Sequence, residues 1–200
     1  MLKLIAVVTG SALIGSDVFL SGCKNPAKKG GPLLSAANIA TLDEVGNTII
    51  PDTDTPGAKA TAIGAFMNTY ATDCYRPDAQ EALTNGLKQL DDKCNKQFGK
   101  AFVDLDATQR NHILTELETE AKPFNSAINE REKPGREAAR MQMKEFNPAS
   151  KHYYTLIKQM TLLGYFTSEI GQKQALRFLP VPGKFDGAFP YKKGDKAWAI

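Results

Sequence analysis

The chain has 200 residues, 25 of them Lys or Arg and 22 Asp or Glu, for a formal net charge of +3. Acids and bases are interleaved, so nothing points to nucleic acid as a partner. Hydrophobic residues make up 42%, and no segment after the first is apolar enough to cross a bilayer, so one domain with an ordinary core is expected.

Residues 1–22 read MLKLIAVVTGSALIGSDVFLSG and lead into Cys23. A lysine, an apolar stretch and small residues in that order are the layout of a secretory signal. Leu20-Ser21-Gly22-Cys23 resembles a bacterial lipobox, in which the Cys thiol is acylated and the preceding peptide removed. A membrane-spanning helix is the competing reading, weakened by Asp17 and by interrupting glycines. The expectation is therefore a signal peptide at 1–22, a lipid on Cys23 and a location on the periplasmic side of the cell envelope, held to a membrane. Residues 23–34 then form a flexible tether, rich in Lys, Gly and Pro. Its lysines either lean on anionic headgroups or are simply solvated.

From residue 35 to 200 the pattern predicts a single all-α domain, an irregular bundle of about five to seven helices with an extended, aromatic-rich tail at 177–200. Ser35 caps a first helix to about Ile50, with Ile39, Leu42, Val45 and Ile49 inward, and Pro51 stops it. A turn-rich loop, Pro51–Gly57, leads to a second helix over about 61–75. Pro77 opens a third, striped by Leu83, Leu87, Leu90, Cys94 and Phe98 and ended by Gly99. Asp106 caps a fourth to about Ala121. Pro123, Pro134 and Gly135 then predict one or two short helices across 122–146. Pro148 or Ala149 opens a strong helix to about Gly164, with Tyr153, Leu156, Ile157, Met160 and Leu163 on its stripe, and a shorter helix follows near 168–176. The tail carries Phe178, Phe185, Phe189, Tyr191 and Trp198, too many aromatics for a disordered end.

Signatures of catalysis are missing. There is no dinucleotide fingerprint, no haem-attachment motif and no nucleophile elbow. His112 reads as a surface residue and His152 as an interface or core residue. An exported protein could pair Cys74 with Cys94, but buried free thiols are the favoured expectation. A continuous third helix would place Cys94 roughly 25 Å from the turn that holds Cys74, too far for a disulfide. Asp52-x-Asp54 before Gly57 fails as a calcium loop, because Pro56 and Ile63 occupy positions that need oxygen ligands. A structural role for both aspartates, folded back on backbone N–H groups, stands against metal or ligand contact.

Two segments are distinctive together: Ile49-Ile50-Pro51-Asp52-Thr53-Asp54-Thr55-Pro56-Gly57-Ala58, and Thr161-Leu162-Leu163-Gly164-Tyr165-Phe166-Thr167-Ser168-Glu169-Ile170-Gly171 continuing through Pro180-Val181-Pro182-Gly183 to Phe185-Asp186-Gly187 and Pro190-Tyr191-Lys192-Lys193-Gly194-Asp195. In that order they resemble the gluconate 2-dehydrogenase subunit 3 family across about residues 35–199. The resemblance implies a small, non-catalytic subunit of an exported sugar or polyol dehydrogenase. FAD and the catalytic base would sit in a large partner of the glucose–methanol–choline type, with no cofactor or metal in this chain, and a c-type cytochrome often completes such complexes. The small subunit would support maturation, export or tethering of the large one. One departure is that no Arg precedes Arg76, so the twin-arginine signal frequent in the family is missing. Either the general secretion route applies or the true start lies upstream.

On this reading Asp52, Asp54 and Gly57 of the loop, and Phe189, Tyr191, Lys192, Lys193 and Trp198 of the tail, grip the large subunit. The alternative for the tail is a clasp packed on its own domain. The alternative for the whole chain is a stand-alone lipoprotein scaffold, or a protein that binds or processes carbohydrate without a flavoprotein.

Overall fold

A computed structural model describes residues 33–181, 183–184 and 186–199. The signal segment, Cys23 and the tether up to residue 32 lie outside the described residues, as do Pro182, Phe185 and Ile200. Five α-helices make up the body: α1 Ala36–Ile49, α2 Ile63–Cys74, α3 Pro77–Phe98, α4 Ala107–Met141 and α5 Tyr153–Thr167. Short 3-10 turns at Ala58–Thr61 and Phe102–Asp104 and a π turn at Gly171–Ala175 join them. The described regular elements are thus helical, and the domain is all-α.

Local chemistry sets several boundaries where the sequence placed them. Ser35 Oγ accepts the Asn38 N–H at the start of α1. Pro77 occupies the first turn of α3, and Gly99 ends it at φ 66°. Asp106 and Gln109 form a reciprocal capping box at the start of α4. The ordered domain begins earlier than expected, because Leu34 is buried and its N–H donates to Asn68 Oδ1 (3.1 Å).

α5 is the axis of the bundle and touches each of the other four helices. Leu42 and Val45 of α1, Met67 of α2, Leu87 and Cys94 of α3, and Ile113 and Leu117 of α4 share one core with Ile157, Met160 and Tyr165 of α5. Each large apolar side chain buried there contributes about 1.5–3 kcal/mol. Two glycines set the close contacts of this axis. A Cβ on Gly86 would fall 2.1 Å from Tyr153 Cγ, so α3 and α5 meet at glycine. A Cβ on Gly164 would fall 2.5 Å from Ile63 Cδ1 and from Phe66 Cδ1, so α5 and α2 do the same.

Four expectations are corrected. α4 does not stop near Ala121 but runs through Pro123 and Pro134 to Met141. Each internal proline costs about 3 kcal/mol and strips one carbonyl of its partner. Here both prolines, and the residues four before them, Thr119 and Glu130, are exposed, so water can serve those carbonyls. Ile128 is buried, and Asn125 and Glu132 tie the far half of the helix to the chain that returns beside it. That return segment explains the second correction. α5 opens at Tyr153, not at Pro148 or Ala149, because the backbone before it is already engaged: Glu132 accepts Ala149 N–H, Asn125 Oδ1 accepts His152 N–H (3.0 Å) and Arg76 holds Asn147 Oδ1 (2.9 Å).

Third, Leu163 is 40% exposed rather than inward. The close approach at Gly164 rotates the buried face of α5 onto Thr161, Gly164 and Tyr165. Fourth, Cys74 is exposed on the last turn of α2, where Ala71 takes the buried position; Cys94 is buried as expected, and both are free thiols.

Candidate partner-binding surface

The loop after α1 is built around one carboxylate. Asp52 Oδ1 accepts the Gly57 N–H (2.9 Å) and Oδ2 accepts Asn47 Nδ2 (3.2 Å). The Gly57 N–H, then Asn47, hold this carboxyl below its usual range. A Cβ on buried Gly57 would lie 2.4 Å from Asn47 Oδ1 and 2.7 Å from the Ile50 carbonyl oxygen, so glycine is demanded by close approach. Asp54 is exposed and accepts from Thr53 Oγ1 (3.0 Å), not from a backbone N–H. The loop is fastened to the bundle by Tyr165, whose buried side chain donates its hydroxyl to the Pro56 carbonyl (2.8 Å). The two distinctive sequence segments are therefore joined by a hydrogen bond.

Beyond Tyr165 the chain turns sharply. Gly171 lies so near that its Cβ would sit 1.9 Å from the Tyr165 carbonyl oxygen. The tail then closes on itself. Arg177 N–H donates to the Ala197 carbonyl (2.7 Å), and Ala199 N–H donates to the Arg177 carbonyl (3.0 Å). The Arg177 guanidinium lies 4.6 Å from the Trp198 ring centre and 5.5 Å from that of Phe189. Those two rings meet edge to face at 5.6 Å. Such cation–π contacts contribute about 0.5–2 kcal/mol each. The loop so closed encloses an apolar groove of about 790 Å³, lined by Leu179, Val181, Phe189 and Trp198 with Lys184 and Asp186.

Of the residues expected to grip a partner, Phe189 and Trp198 come together and stay half exposed. Tyr191 is 77% exposed, and Lys192 and Lys193 are exposed beside it on a turn closed by Asp195. Asp52, Asp54 and Gly57 belong to a different structure, fastened to α5. Arg177 was missed in the sequence, although an Arg among aromatic and proline residues is the available signal for such stacking. Nine of the twelve exposed large hydrophobic residues fall between Leu162 and Trp198, which makes this end of the chain the apolar part of the described surface.

Titratable groups elsewhere serve the packing. Among the described residues no three of His, Cys, Asp or Glu are grouped to hold a metal ion. Burial, then the nearby Asp91 charge, pushes the Cys94 thiol up to about 11, and burial, then the Glu118 charge, raises the Tyr154 hydroxyl to about 12. His112 is exposed and pairs with Glu116 (3.4 Å). His152 caps α5: its Nδ1 accepts the Tyr154 N–H (3.3 Å), and its ring lies between those of Tyr153 (4.6 Å) and Phe124 (5.3 Å).

Burial holds the His152 imidazole below its ordinary value, with Glu120 opposing and Lys93 assisting. A depressed histidine stabilises the fold fully above its unfolded pKa of about 6.5, and that stability is lost as pH falls through the lower folded value. The melting temperature should therefore drop below about pH 6.5. A His152→Asn variant, which keeps a neutral cap acceptor, should melt with a flatter pH profile. Equal slopes for the two proteins would contradict the capping role.

A family model described as gluconate 2-dehydrogenase subunit 3 matches residues 36–183. Searches of curated proteins and of solved structures return no match. The matched span takes in all five helices, the Asp52–Gly57 loop, the Tyr165 contact and the opening residues of the tail loop, and stops short of Phe189, Tyr191 and Trp198. The chain belongs to the gluconate 2-dehydrogenase subunit 3 family.

Proposed function

We propose that this chain is the non-catalytic small subunit of a flavin-dependent sugar or polyol dehydrogenase on the periplasmic side of a membrane. Family membership over residues 36–183 carries the reading, because the family's name makes it one subunit of a dehydrogenase assembly. FAD and the catalytic base belong to a large partner of the glucose–methanol–choline type, and a c-type cytochrome receives the electrons in complexes that include one. This chain supports the partner's maturation or export and holds it at the membrane.

In this proposal a lipid on Cys23 is the anchor. Between Cys23 and the first core residue, Leu34, lie ten residues, which reach at most roughly 35 Å when extended. The body and its partner are thereby kept close to the lipid surface. The lipid beside a basic tether, Lys24, Lys28 and Lys29, supplies the paired signals that stable anchoring needs.

A chain in which residues 1–23 are replaced by a cleavable secretory signal without a lipidated cysteine should move from the membrane fraction to the soluble envelope fraction, and dehydrogenase activity should move with it. Membrane retention of both after the replacement would contradict the anchor. Purified alone, the chain should reduce no redox dye with aldoses or polyols; turnover of a sugar by the isolated chain would contradict the non-catalytic role.

A further inference from the structure

We infer that the apolar groove of the tail loop, walled by Leu179, Val181, Phe189 and Trp198, is a preformed docking site for a segment of the flavoprotein partner that carries a large apolar side chain flanked by acidic residues. The inference rests on the accessory-subunit reading and adds to it the partner's chemistry.

Shape is the first argument. The loop is pinned at its neck by the Arg177 backbone and by the Arg177–Trp198 stack, so the groove exists before any partner arrives. At about 790 Å³ it matches the 300–1,000 Å³ of pockets that enclose a compact ligand or side-chain cluster. Its walls are left uncovered by the chain's own core. Val181 is 79% exposed, and Leu179, Phe189 and Trp198 are about half exposed. A groove ordered in advance loses little entropy on binding.

Charge is the second argument. Five basic and two acidic residues fall between Arg177 and Ala199, so this segment alone carries the chain's formal +3. Both acids are internally engaged: Asp186 Oδ1 accepts the Ala188 N–H (3.0 Å) and Asp195 Oδ2 accepts the Lys192 N–H (2.9 Å). Lys196 reaches the Gln174 carbonyl. The ammonium groups of Lys184, Lys192 and Lys193 have no partner among the described residues; Lys184 lines the apolar groove, and Lys192 and Lys193 are exposed on the same loop, three residues after its Phe189 wall. An occupant with carboxylates beside an apolar anchor satisfies both features, and its approach is steered by the positive rim.

The test uses the tagged full-length chain in cells that make the complex. The readout is flavin co-eluting per tagged chain from detergent extracts, at low and high salt. Val181→Asp places a charge in the groove and should lower the ratio at least ten-fold at both salt concentrations. The double variant Lys192→Glu, Lys193→Glu should lower it at least ten-fold at low salt, with a smaller difference from the unsubstituted chain at high salt, where exposed charges are screened. Met143→Asp, which alters a still more exposed apolar residue elsewhere, should leave the ratio unchanged. Thermal melts of all variants should match, since the substituted residues are exposed.

Co-elution of flavin at the unsubstituted level with both groove variants would overturn the docking proposal and leave the accessory role standing. A loss with Met143→Asp as large as with Val181→Asp would overturn it too. No flavin with the unsubstituted chain would remove the accessory-subunit reading itself, and the docking proposal with it.

Discussion

Tyr165→Ala is expected to lose about 3–5 kcal/mol of stability, as large buried aromatics do on truncation. The ring is fully buried at the axis of the bundle, and its hydroxyl supplies the bond to the Pro56 carbonyl that fastens the Pro51–Gly57 loop. Truncation therefore opens a cavity and frees the loop together. Against a typical total of about 5–15 kcal/mol, such a loss brings the domain near its unfolding threshold at ordinary temperature. Tyr165→Phe keeps the ring and loses only the hydrogen bond, so about 0.5–1.5 kcal/mol is expected. Urea unfolding of the three proteins measures both steps. A loss under about 1 kcal/mol for Tyr165→Ala would contradict the central position given to this residue.

Removing residues 177–200 is expected to have the opposite profile. None of the described residues from Arg177 onward is buried, and the core cluster ends at Ala175. The truncated chain should keep its helical circular dichroism and melt within about 1 kcal/mol of the full chain, because exposed segments contribute little to stability. Its yield of co-isolated flavin should fall at least ten-fold. Loss of helical signal on truncation would instead identify the tail as a clasp on which the bundle depends.

These two residue sets also mark where sequence reasoning succeeds and where it stops. Helix ends governed by neighbours in the chain were legible, because their chemistry is local: the Ser35 hydroxyl, Pro77 in a first turn, the Asp106–Gln109 box and Gly99 at positive φ. Pro123 and Pro134 misled for the same reason. A local rule stops a helix there, but the outcome depended on solvent at Thr119 and Glu130 and on distant bonds from Asn125 and Glu132. Leu163 fits a helical stripe by spacing alone, and only the approach of α2 to Gly164 turns it outward.

The same limit applies to the candidate surface. Phe189 and Trp198 stand out by residue type, but the cation that stacks on them, Arg177, is distant in sequence. Asp52 was visible as a turn former, yet its reach to Gly57 and the tie from Pro56 to Tyr165 are facts of packing. The family resemblance brought the two segments together as motifs; the hydrogen bond between them gives that pairing a physical cause.

Affinity isolation of the tagged chain from detergent-solubilised membranes, with the absorbance of the eluate read for oxidised flavin, asks whether this chain holds a flavoprotein at the membrane. A near-stoichiometric flavoprotein is expected in the eluate, with sugar-dependent bleaching of its flavin band. An eluate containing this chain without flavin, from cells in which it is stably membrane-bound, would contradict that expectation.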